Sequence, residues 1–70
     1  MIAEEVKISK IEYHKVYAME KWCYQCFGQS ARELDQVDST KTWCLRYKFG
    51  DTIWYFAQAK DALMFRLVWT

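Results

Sequence analysis

Seventy residues with a formal net charge of +1 and an aromatic content of 19% describe one small domain with no global field to steer nucleic acid, a membrane or an acidic partner. A chain of this length buries only about 60% of the surface its unfolded form exposes. Its four Trp, five Tyr and four Phe must therefore supply most of the core, each ring removing roughly 150–250 Å² from water.

No apolar run approaches the ~18 residues that a membrane span needs, and the opening Met-Ile-Ala-Glu-Glu has neither the basic start nor the apolar centre of a signal peptide. Three cysteines cannot all pair within one chain, which suits a reducing compartment. The expectation is a cytoplasmic protein with no membrane partner.

In chain order, residues 2–8 alternate, with Ile2, Val6 and Ile8 on one side and Ala3, Glu5 and Lys7 on the other, the pattern of a strand. Ser9 and Glu12 have the spacing of a capping box, so a helix is expected from Lys10. Tyr13, Val16, Met19, Cys23, Cys26 and Phe27 supply its apolar spacing, and Gly28 stands where a glycine ends such a helix. Residues 29–40 are the least apolar stretch and read as a mobile loop, or as a short helix started by Ser30 and Glu33 with Ala31, Leu34 and Val37 at helical spacing, which would need a surface to lie on.

Two alternating runs then flank Gly50-Asp51, a pair with the form of a type II′ hairpin loop. Closing the turn between Phe49 and Thr52 sets Tyr47 opposite Trp54 and Leu45 opposite Phe56. One face then holds Trp43, Leu45, Tyr47, Phe49, Trp54 and Phe56, and the other Cys44, Arg46, Lys48, Ile53 and Tyr55. Residues 57–65 are good helix formers, with Ala59, Ala62, Leu63 and Phe65 available to the core. Residues 66–70 read either as a last short strand or as more of that helix. The expected class is α+β, a ferredoxin-like split βαβ (β-α-β-β-α-β) with an antiparallel sheet and both helices on one face.

Cys23 and Cys26 suggest redox chemistry by their spacing, but they fall in the last helical turn, where the dipole opposes a thiolate. Zinc needs four ligands, and the inventory is Cys23, Cys26, Cys44 and His14. His14 lies nine residues before Cys23, about 180° round a helix, so no metal or cofactor site is expected. No Ser or Cys has a base partner and no glycine-rich loop is present, so the chain reads as a non-enzyme. On the four-stranded arrangement the open sheet face carries Lys7, Arg46, Lys48 and Arg66 around Tyr55 and Ile53. A basic face with an aromatic platform is how small sheets hold single-stranded nucleic acid.

Two resemblances follow from the hairpin and its exit. The run Gly50-Asp-Thr-Ile-Trp-Tyr-Phe56 followed by Asp61-Ala62 resembles the third strand and second helix of an RNA-recognition motif. Its base-stacking positions would fall on Asp51 and Ile53, so the resemblance implies the fold more than RNA binding. The spacing of Trp54, Phe56, Asp61-Ala62, Phe65, Leu67 and Trp69 is similar to the C-terminal halves of short bacteriophage-encoded accessory proteins. That resemblance implies a virus-encoded protein made in the host cytoplasm, which covers a surface of a host enzyme or of a defence complex of CRISPR type. Tyr17, Tyr24 and Tyr55, with Trp22 or Trp43, are the aromatics left over for such an interface. A homodimer is the alternative protein partner, and a single-stranded nucleic acid on the basic face the alternative function.

Overall fold

The computed structural model describes residues 1–70. Strand β1 (Glu4–Ile8) leads to helix α1 (Tyr13–Phe27), a single 3-10 turn (Leu34–Gln36), the hairpin of β2 (Trp43–Lys48) and β3 (Asp51–Phe56), and helix α2 (Ala59–Trp69). The sheet has three strands in the order β1-β3-β2, antiparallel at both pairings. β1 and β2 are therefore parallel to each other with β3 inserted between them. The class is α+β, but the expected final strand is absent and the full β-α-β-β-α-β arrangement does not form. Residues 66–69 continue α2 instead, because Ala62, Phe65 and Trp69 fall on one helical face and all three reach the core.

Helix α1 starts three residues later than the Ser9 capping box predicts. Lys10 takes a left-handed conformation (φ 54°), and Glu12 occupies the N-cap position without a side-chain hydrogen bond. The extra residues let Ile11 pack on the core before the helix begins. At the other end, Gly28 stops α1 with positive φ (83°), and its N–H donates to the Tyr24 carbonyl at 3.1 Å.

The hairpin loop is Phe49-Gly50, not Gly50-Asp51. Lys48 pairs with Asp51, Tyr47 with Thr52, Leu45 with Trp54 and Trp43 with Phe56. Both loop residues have positive φ, 51° and 83°, as a type I′ turn requires. Relative to the expected pairing each partner moves by two residues, an even step that leaves the two faces unchanged. Burial explains the choice: this register places Trp43 inside the sheet opposite Phe56 and leaves the smaller Phe49 in the loop. Trp43 is buried, and its ring stacks on Trp54 at 6.2 Å and 17°.

Both helices cover that face. Val16, Met19 and Cys23 of α1 and Ala62 and Phe65 of α2 meet Val6, Trp43, Trp54 and Phe56. Trp54 lies at the centre, 4.8 Å from the Phe65 ring, and its indole N–H donates to the Thr52 hydroxyl at 3.0 Å.

The opposite face is not left open as expected. The segment between α1 and β2 folds across it, burying Ala31 and Val37 against Cys44, with Leu34, Tyr55 and Ala57 around them. Ala31 N–H donates to the Trp43 carbonyl at 2.9 Å, and the terminal ammonium of Met1 donates to the Val37 carbonyl. Within the segment, Asp38 Oδ1 accepts from Thr40 N–H, Thr40 Oγ1–H and Lys41 N–H at 2.7–3.0 Å. These bonds hold the Asp38 carboxyl down at about 2, the Lys41 amide contributing most.

Candidate functional site

The basic platform is dispersed, by the covering segment at Arg46 and Tyr55 and by other partners at Lys7 and Arg66. Arg46 donates to the Arg32 carbonyl at 3.0 Å and to Glu33 at 2.8 Å. Lys7 faces Asp51 at 3.4 Å. Tyr55 is half-buried beneath the segment. Arg66 does not lie on a strand: from α2 it reaches back to Glu4 at 3.4 Å and to the Glu5 carbonyl at 3.2 Å, over the β1 edge. Of the expected cations only Lys48 is exposed and free of an acid. No group of three metal-ligating side chains converges anywhere in the chain.

Cys23 is fully buried, and burial pushes its thiol up, the neighbouring Cys26 and Glu20 adding to the effect. Cys44 is raised by burial too. Cys26, which the helical spacing assigned to the core, is exposed. A buried thiol with a raised pKa is a packing group rather than a nucleophile.

Tyr17 and Tyr24 stand exposed on α1, as the sequence suggested, and with Glu20, Lys21 and Gln25 they line a shallow concavity of about 440 Å³. They belong to a longer stripe. Tyr13, read from the sequence as a core residue, is 84% exposed, beside Tyr17 at 76%. The three tyrosines recur at i, i+4 and i+11, one line on a helix and roughly 100° round it from Val16, Met19 and Cys23. That second periodicity was present in the residues, but Tyr13 also satisfied the core spacing and was absorbed by it. Tyr24 is anchored at the base of the stripe by an edge-on contact with Trp43, ring centroids 5.1 Å apart.

The stripe continues onto β2. Tyr47, also assigned to the core, is 59% exposed and joins Tyr13, Val16 and Thr52 around a concavity of about 270 Å³. Partial burial raises its phenol, with Glu20 and Tyr13 contributing. The Glu20 carboxyl is itself raised by burial. Phe49, at the hairpin tip, is 96% exposed and holds a left-handed conformation. The ring therefore adds little packing to the domain.

β2 is an edge strand. Antiparallel partners alternate between bonded and non-bonded pairs, and Trp43 turns its carbonyl outward to Ala31. By that alternation Leu45 and Tyr47 also direct their N–H and C=O groups away from β3. No other backbone reaches these four groups; the Cys44 thiol donates a weak bond to the Leu45 carbonyl at 3.9 Å. On the β1 edge Arg66 occupies the Glu5 carbonyl.

A second unpartnered surface lies on α2, where Leu63, Met64, Leu67 and Val68 are exposed. Leu63 was expected to be available to the core. With the final strand missing, α2 needs only its Ala62, Phe65 and Trp69 line for the core. No helix is long and apolar enough to cross a membrane. Comparison with known protein families, curated proteins and solved structures finds no match for this chain.

Proposed function

We propose that this chain is a small non-enzymatic protein-binding module that acts by covering a surface of its target, the role of a phage-encoded inhibitor of a host or defence factor. The observation that carries the binding role is the exposed aromatic stripe of Tyr13, Tyr17, Tyr24 and Tyr47, together with Phe49 exposed at the hairpin tip. A domain this small has little apolar area to spare, and it leaves five rings outside the core. Tyr and other aromatics dominate protein contacts because they bring large area at low entropic cost. The viral origin rests on the C-terminal spacing described above.

The test recovers partners from a bacterial lysate with tagged protein and, in parallel, titrates single-stranded RNA and DNA at low and high salt. One salt-resistant protein partner, lost in the double variant Tyr13→Ala with Tyr17→Ala, is the expected result. Salt-steep oligonucleotide binding that is lost when Arg46→Ala is combined with Tyr55→Ala overturns it in favour of nucleic acid.

A further inference from the structure

We infer that the β2 edge takes up an extended, acidic segment of another protein as a fourth strand; this rests on the protein-binding reading and specifies its occupant. Four backbone groups, the N–H and C=O of Leu45 and Tyr47, face outward without backbone partners. An exposed edge of this kind is a template for strand addition, in which backbone bonds hold the guest and alternate side chains select it. Trp43 limits the site, since Ala31 already occupies its carbonyl.

The two faces of the edge ask for different side chains. On the covered face β2 presents Arg46, already paired with Glu33, and Lys48, without an acid of its own. On the helix face it presents Tyr47, with Tyr13 and Val16 across a shared concavity. A guest strand alternates in the same way, so acids on one side and aromatic or branched residues on the other match both faces.

The same charges argue against a second copy of this chain. Antiparallel pairing of β2 with itself that is centred on Arg46 sets that residue against its own counterpart. Centring on Tyr47 sets Arg46 against Lys48. Like charges directly opposite destabilise a strand pair. Centring nearer the start of β2 needs the Trp43 carbonyl, which is taken. The guest is therefore a different, acidic chain.

The experiment uses the full chain and two labelled peptides of about eight residues, the length of an ordinary strand. In one, Glu alternates with Val and Tyr; in the other, Lys replaces Glu. The acidic peptide is expected to bind at least ~tenfold more tightly than the basic one, and to weaken with salt. Saturation with it slows hydrogen exchange at the Leu45 and Tyr47 amides by at least ~tenfold, while Tyr13 and Tyr17 amides within α1 are unchanged. Lys48→Glu and Tyr47→Pro each weaken it at least ~tenfold, Tyr47→Thr less than Tyr47→Pro because it keeps the outward N–H. Equal affinity for the two peptides, binding without protection of the Leu45 and Tyr47 amides, or no binding of either peptide overturns the inference. If the peptides fail while a lysate partner protects α1 or α2, the protein-binding reading stands without the edge; if no partner is recovered either, both fall.

Discussion

Replacing Phe49 by Asn is expected to stabilise the protein. Phe49 sits at φ 51° in the first loop position of the hairpin, and the left-handed region costs an ordinary L-residue about 1–2 kcal/mol. Asn escapes much of that cost because its short side chain hydrogen-bonds locally, and Asn-Gly is a favoured pair for a type I′ loop. Little is lost in return, since the Phe49 ring is almost wholly in water. The net gain is about 1 kcal/mol, which for a domain of this size raises Tm by roughly 4–8 °C. Urea unfolding is the assay, with the midpoint moving up and the slope unchanged. Phe49→Ala, which removes the ring and keeps the backbone cost, is expected to change stability by less than about 0.5 kcal/mol. A lower midpoint for Phe49→Asn, or a loss above about 1 kcal/mol for Phe49→Ala, would mean that the ring packs within the domain and that the strain argument is wrong.

Trp54→Ala removes the ring at the centre of the core and should cost about 3–5 kcal/mol, enough to unfold much of a domain this small. Thr52→Val keeps the shape but leaves the buried Trp54 indole N–H unpaired, at an expected cost of about 1–3 kcal/mol in urea unfolding. Of the three thiols, Cys26 alone is expected to react with an aromatic disulfide reagent in the native protein, and all three in denaturant; rapid reaction at Cys23 or Cys44 would contradict their burial. Two acids give opposite pH slopes. The Asp38 carboxyl is depressed to about 2, so its contribution is present above the ordinary carboxylate range and disappears as pH falls through about 2. Asp38→Asn should flatten that acid-side loss in a series of thermal melts. Glu20 is raised by burial, so its ionisation opposes folding as pH rises, and Glu20→Gln should be more stable than the parent at neutral pH.

Local chemistry in the residues was enough to define α1 up to Gly28, the hairpin, its two faces and the α+β class. Strand alternation depends only on parity, and helix termination only on a glycine in place, so neither needed the rest of the molecule. The exact hairpin register did. Gly50 suits the first place of one loop type and the second of another, and only the competition between burying Trp43 and burying Phe49 selects between them. Likewise, residues 66–69 satisfy both a strand and a helix pattern until Trp69 is seen to share the α2 core line. The candidate site divides the same way: Tyr17 and Tyr24 were visible as surplus aromatics, whereas Tyr13 and Tyr47 carried valid core spacing and stand in solvent because Tyr13 lies round α1 from the Val16, Met19 and Cys23 line and Tyr47 lies on the edge strand. Above all, the spacing of Ala31, Leu34 and Val37 before β2 allowed a short helix that needs a surface, but nothing local identified Cys44 and the far sheet face as that surface. That contact joins residues distant in sequence, and it moves the exposed surface of the protein from the sheet face to the β2 edge and α1.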